Sequence, residues 1–315
     1  MQSFPEKEFK AIVGSLSPSY LRNRLGDSIQ PIRSYLSHCY YDVVLDKLSV
    51  IAPKLPYKLM VTTIPKSGSH LLQGVLRNFR ELERRPIVLG PYLTIKEYYE
   101  PIKNMAYNRF AWGHIGADKM SFQLVADLGL VVIVMLRDPR DVVVSYVDHV
   151  YRLKPHILKN YYNSLPDDHA RLRATIQGVP HDAYSRDPRL VEMGVYERHP
   201  GFSDIGTVCR SYLPWLEHAD IHVVHFEDLV GEKGAGSRDR QLEGVKRLIS
   251  FLKLKCTEDQ AEDICDRIYD RKSPTFNQGI QARWKSVFTE ELKDIFKEVA
   301  SIELIRMGYE KDDNW

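Results

Sequence analysis

Cysteine is scarce in this chain. The four residues (Cys39, Cys209, Cys256, Cys265) show no Cys-x-x-Cys and no histidine at zinc-ligand spacing. A disulfide scaffold and a zinc ribbon are thereby excluded, and the four read as reduced, partly buried thiols of a cytosolic protein. Long apolar runs are missing as well. None approaches the ~20 residues that a bilayer-spanning helix needs. The opening Met1-Gln2-Ser3-Phe4-Pro5-Glu6-Lys7 has no apolar core of a signal peptide, so a cytoplasmic location and no membrane partner are expected. Net charge is almost absent: 44 Lys+Arg stand against 42 Asp+Glu. Without a global field there is no expected nucleic-acid partner, and any anion site must be local. No repeat, no low-complexity tract and no metal-holding carboxylate cluster is visible. Gly-x-x-x-x-Gly-Lys does not occur, which disfavours an ATP-type phosphate loop.

What is present suits one large core. The 315 residues are 43% apolar and 27% charged, and a single domain over 1–315 is expected. Residues 1–56 read as a helical N-terminal extension. From Lys58 a β/α rhythm begins, with strand-like runs at Lys58–Thr63, Arg109–His114, Leu130–Leu136 and Ile221–Phe226. Their Val/Ile-rich, non-alternating character predicts strands buried on both faces of a parallel sheet. Leu71, Leu72, Val75, Leu76 and Phe79 form one helical stripe; Leu242, Val245, Leu248, Ile249 and Leu252 form another. Thr257-Glu258-Asp259-Gln260 has the form of a capping box. Residues 151–206 are polar, rich in Pro, Asp, Arg and Tyr, and predict short helices and loops covering one end of the sheet. Gly231–Gly236 reads as a mobile turn. The class is therefore α/β, a central parallel sheet with helices on both faces.

Two motifs carry chemistry. In Thr63-Ile64-Pro65-Lys66-Ser67-Gly68-Ser69-His70 a strand, a glycine-bearing turn and a helix start meet, with a lysine in the turn. Such a turn aims backbone N–H groups and the positive helix end at one point, and the ammonium completes a socket for a phosphate-like oxyanion. A structural turn with a surface lysine has the same sequence. In the second, Leu130–Leu136 runs into Arg137-Asp138-Pro139-Arg140-Asp141 and then Val142-Val143-Val144-Ser145-Tyr146. Pro139 suits a first helical turn. Arg137 is left at a strand C-terminus, where open α/β sheets bind ligands. Asp138 and Asp141 offer it an alternative role in a local ion pair.

Together these motifs resemble the PAPS-dependent sulfotransferase family, PAPS being 3′-phosphoadenylyl sulfate. Its first signature, approximately Pro-Lys-Ser-Gly-Thr-Thr-Trp, is met by Pro65-Lys66-Ser67-Gly68-Ser69-His70-Leu71. Its second, approximately Arg-Asp-Pro-Arg-Asp-Val-x-Val-Ser-Tyr, is met closely by Arg137 to Tyr146. The resemblance covers roughly Lys58 to Trp284 and implies a P-loop nucleotide-kinase-like fold. It also implies transfer of a sulfonate from PAPS, leaving PAP, to a hydroxyl or amine of a small-molecule acceptor, with no metal required. It places Lys66 at the oxygen bridging phosphate and sulfonate, Ser67, Gly68, Ser69 and His70 around the 5′-phosphosulfate, and Arg137 and Ser145 on the 3′-phosphate. His114 falls where the family has its general base.

The departures are specific. Leu71 replaces the tryptophan that would stack on adenine, Phe226 replaces a tyrosine near that base, and Trp112 stands where relatives often carry a lysine. The family's Arg-Lys-Gly segment becomes Asn277-Gln278-Gly279, two amides in place of two cations, with Arg283, Lys272 or Arg271 as replacements for the charge. Lys285, Thr289, Glu290 and Asp294 only partly match a dimerisation motif of some members, leaving monomer and homodimer open. His149, His156, His169, His181 and His199 rival His114 without a positional argument. Tyr161, Tyr162, Tyr184, Tyr196 and Phe202 of the cap suit a ring-bearing acceptor. Two other functions remain open: a P-loop kinase acting on a small molecule, and a non-catalytic nucleotide-binding protein.

Overall fold

Strand residues alternate between two apolar layers, which is why their sequences do not alternate in polarity. A computed structural model describes residues 55–82, 86–89, 95–152, 156–192, 194–218, 221–269 and 278–315. The expected N-terminal extension falls almost wholly on 1–54, outside the described residues. The elements in chain order are β1 (Lys58–Thr63), α1 (Ser69–Leu76), β2 (Ile87–Leu89), α2 (Ile95–Lys103), β3 (Phe110–Gly113), α3 (Lys119–Leu128), β4 (Leu130–Leu136) and α4 (Pro139–Arg152). They continue with α5 (Lys159–Ser164), α6 (Asp168–Gln177), α7 (Pro188–Glu192), α8 (Ile205–Arg210), α9 (Leu213–Leu216) and β5 (Ile221–His225). The chain then runs through α10 (Arg238–Phe251), α11 (Glu258–Arg267), α12 (Trp284–Val287) and α13 (Glu290–Arg306).

The five strands are all parallel, in the order β2-β3-β1-β4-β5. Met60, Val132, Val134 and Leu136 face the layer built from α3, α4, the cap and α13. Leu59, Val61, Ile133 and Met135 face the layer built from α1, α10 and α11. The expected strands at β1 and β4 have the bounds read from the sequence, while β3 is shorter at both ends and β5 stops one residue earlier, at His225. The edge strand β2 was not foreseen, since three residues are too few to show a pattern. The capping box at α11 is present: Thr257 Oγ1 accepts from Gln260 N, and Gln260 Oε1 accepts from Thr257 N.

Two expectations change. Gly231–Gly236 is not a free turn: Gly231 O accepts from the amides of Gly234 and Gly236, and the Gly234 and Ala235 carbonyls accept from Gln281. The cap does consist of short helices, but several of its aromatics belong to the main core. Tyr162 is fully buried with its hydroxyl 2.7 Å from Thr175 Oγ1, which removes it from any acceptor surface. Among the described residues no helix is long and apolar enough to cross a membrane. Cys209, Cys256 and Cys265 are free thiols.

The order β2-β3-β1-β4-β5 places the change of winding direction at β1. After β1 the chain fills one side with β2 and β3, then crosses to β4. The C-terminal ends of β3, β1 and β4 therefore flank the crevice where such sheets bind ligands.

Candidate active site

Each strand of the crevice ends one to three residues before a residue singled out from the sequence. β1 leads to Lys66, β3 to His114, β4 to Arg137 and β5 to Phe226. The ends of β1 and β3 are locked by a reciprocal pair: Ile115 N donates to Thr62 Oγ1 (2.9 Å), which donates to Ile115 O (2.8 Å).

The loop after β1 is shaped from inside. Ser67 is fully buried; its amide donates to Ile64 O (3.1 Å) and its hydroxyl to the same carbonyl (2.6 Å) and to Met135 O (3.2 Å). Ser67 thus closes the turn with its donors turned inward. Positive backbone angles flank Ser67 on both sides, φ 72° at Lys66 and φ 92° at Gly68. A Cβ at Gly68 would lie 2.6 Å from Phe226 Cδ2, so glycine is required both by conformation and by space. The loop then opens into α1. The first turn of that helix leaves the amides of Ser69 and His70 without a hydrogen bond among the described residues. Leu71 is buried in the core with the rest of the α1 stripe, so the tryptophan's replacement is a packing residue.

Lys66 is largely buried, and its Nζ lies 3.1 Å from His149 Nδ1. Burial, with the charges of Arg137 and Arg152, pushes its ammonium down to about 8. At neutral pH it remains a cation, with the nearby charge of Asp148 favouring that form.

His114 Nδ1 lies 2.7 Å from Thr63 O and 3.1 Å from Thr63 Oγ1. A carbonyl can only accept, so Nδ1 carries the proton and the Nε2 lone pair is left for a ligand. Burial pushes His114 down to about 4 against the effect of the Thr63 bond, and Lys66 adds to the lowering. The ring is therefore a neutral, tautomerically fixed base.

Arg137 ties three segments together. Nη1 donates to Lys66 O (3.2 Å), Nη2 donates to Ile280 O (2.9 Å) and lies 3.5 Å from Asp141 Oδ2, and the guanidinium sits 4.3 Å from the centroid of the Phe226 ring. Its buried Nε has no partner among the described residues, a donor left over for a ligand or water. Phe226 is 4% exposed and serves as the floor under Arg137 and Gly68. Asp138 takes Arg140 instead, as a bidentate pair at 2.8–3.2 Å, while Arg140 also stacks on Trp284 and Trp315. Ser145 lies on α4, two turns beyond Arg137, and its hydroxyl has no partner among the described residues.

The third segment reaches the site through its backbone. Asn277 lies outside the described residues. Gln278 is exposed, and the carbonyls of Gln278 and Gly279 accept from the Tyr269 hydroxyl at 2.8 and 3.3 Å. Asp141 holds the segment to α4, accepting from Ala282 N (2.6 Å) and Trp284 N (3.0 Å). Arg283, one replacement considered for the missing cations, pairs with Asp148 at 2.8 Å.

Two histidines without a positional argument in the sequence stand at the centre. His149 contacts Lys66, and the His199 ring lies 5.8 Å from that of His114. His156 neighbours His149 at 5.8 Å, whereas His169 and His181 sit elsewhere, against Thr289 and Arg186. Nothing local to the sequence marks His149 or His199; only the packing of α4 and the cap brings them in. Among the described residues no group of three or more His, Cys, Asp or Glu is placed to hold a metal.

A mouse sulfotransferase crystallised with PAP shares the fold. It aligns at 15% identity with a TM-score of 0.50, covering 81% of this chain and 89% of that one. Retinol dehydratase in complex with retinol and PAP aligns at 15% identity with a TM-score of 0.47, over 80% of this chain and 82% of that one. A sulfotransferase from Alicyclobacillus acidocaldarius aligns at 12% identity with a TM-score of 0.40, over 80% and 94%. No curated protein matches the sequence. The family described as Sulfotransferase domain matches residues 56–308, which takes in every strand and every site residue above, and the chain belongs to that family.

Proposed function

We propose that the protein transfers the sulfonate of PAPS to a hydroxyl of a small-molecule acceptor. The observation that carries this is the convergence of a charged Lys66 and a neutral, one-tautomer His114 at adjacent strand ends. Transfer of a sulfonate needs both: a base for the acceptor proton and a fixed cation where charge gathers on the leaving oxygen.

The residues present fit the donor. The open amides of Ser69 and His70 at the α1 N-terminus, with Lys66, suit its 5′ anion. Arg137, whose Nε has no partner among the described residues, and the hydroxyl of Ser145 on α4 suit the 3′-phosphate. PAPS, when bound, supplies the electrophilic sulfonate. His114 Nε2 accepts the acceptor's proton while Thr63 O holds the ring in place, and Lys66 offsets negative charge at the departing phosphate. The PAP-bound structure of the mouse sulfotransferase that shares the fold favours the same donor. A cytoplasmic setting fits such an acceptor.

The experiment is a thermal-shift comparison. PAP alone should raise the melting temperature, by mass action on the folded state. Stabilisation by ATP with Mg²⁺ and not by PAP would replace this assignment with a kinase.

A further inference from the structure

We propose that His149 is a positioning residue for Lys66, a role that rests on the sulfonate-transfer assignment. Lys66 leaves a left-handed turn with φ 72°, so the start of its side chain is fixed, but four methylenes separate Cα from the charge. Its far end is 3.1 Å from Nδ1 of His149, in the last turn of α4. An ammonium only donates, so Nδ1 presents its lone pair and the proton of the neutral ring sits on Nε2.

The imidazole is itself held. Tyr146 and His156 flank it at ring distances of 6.1 and 5.8 Å. Burial, with Lys66, His156, Arg152 and His114 nearby, pushes it down to about 3, so it stays neutral beside the lysine. The adjacent carboxylate, Asp148, favours the ammonium through its charge, while its Oδ2 pairs with Arg283 at 2.8 Å. This choice has a physical consequence. A carboxylate would hold the ammonium by cancelling its charge, whereas a neutral acceptor orients it and leaves the charge intact for the leaving oxygen. His149 lies one turn beyond Ser145 on the same helix, so α4 presents the orienter of Lys66 next to a candidate phosphate contact.

The test uses His149→Ala and His149→Asn, since the asparagine amide oxygen takes the place of Nδ1. In the ligand-free protein at pH 7, acetic anhydride labelling of Lys66 is measured by mass spectrometry relative to the exposed Lys311. Loss of the acceptor favours the uncharged amine, so labelling should rise roughly three- to ten-fold in the alanine variant and return toward wild type in the asparagine variant. With the best acceptor from a phenol and alcohol panel, kcat should fall on the order of 10- to 100-fold in the alanine variant, with KM for PAPS changed less than about three-fold and recovery in the asparagine variant. Equal labelling in all three proteins, or an alanine variant with wild-type kcat, overturns the role. A wild-type protein that neither binds PAP nor turns over any acceptor would instead defeat the sulfonate-transfer assignment, and the labelling comparison would still decide whether His149 orients Lys66.

Discussion

At the scale of single residues, the site depends on two groups whose protonation states are set by their surroundings. In the proposed transfer, His114 must be neutral to accept a proton and Lys66 must be charged to stabilise the leaving group. Burial lowers both, to about 4 and about 8. The sign follows directly: kcat/KM should be lost as pH falls through the His114 value and lost again as pH rises through that of Lys66. A pH profile of kcat/KM for PAPS, which reports the free enzyme, should therefore show a plateau between these values. A profile rising through pH 8 and beyond would contradict the role given to Lys66. His114→Ala should lower kcat by roughly 10²–10⁴ and Lys66→Ala by roughly 10²–10³ in steady-state assays, both with the fold retained by circular dichroism.

At the scale of elements, the loops after the strands are held by contacts that cross the sheet. Gly68→Ala puts a Cβ into the Phe226 ring at a left-handed position and should cost about 1–3 kcal/mol in denaturant unfolding, with weaker PAP binding. Asp141→Ala leaves the Ala282 and Trp284 amides unpaired, at about 1–3 kcal/mol each, and frees the segment that meets Arg137 through the Ile280 carbonyl. Calorimetric PAP affinity should fall together with the melting temperature. The strands and the first two motifs were legible because they are local: an apolar run, a glycine turn, a proline at a helix start. The third segment was not, because its link to Arg137 runs through a backbone carbonyl, which leaves no trace in residue type. Its amides Asn277 and Gln278 drew attention to side chains, whereas Tyr269, Gly234 and Asp141 do the anchoring. Three histidines were hidden for a different reason. His149, His156 and His199 come from α4 and the cap, and only the tertiary fold gathers them near His114, the one histidine whose position the sequence marked.

At the scale of the whole molecule, these histidines make stability depend on pH. His114 and His156 are pushed down to about 4, His149 and His199 to about 3, with burial the leading cause in each case. Between these values and the unfolded value of about 6.5, the unfolded chain binds protons that the native state does not. Stability should therefore be fullest above about pH 6.5 and fall as pH is lowered toward 4, seen as a falling melting temperature; a melting temperature that rises on acidification contradicts the burial of these rings. The same fold brings the Lys66 loop, Arg137 and His114 to one crevice at the change of winding direction, where we propose that a sulfonate is transferred. Incubation with PAPS carrying a radiolabelled sulfonate and a panel of phenols and alcohols tests it most directly. Sulfonate transfer gives labelled sulfate ester with release of PAP, abolished in His114→Ala and Lys66→Ala; label that stays on PAPS with every acceptor, while ATP donates phosphate to one of them, rules it out.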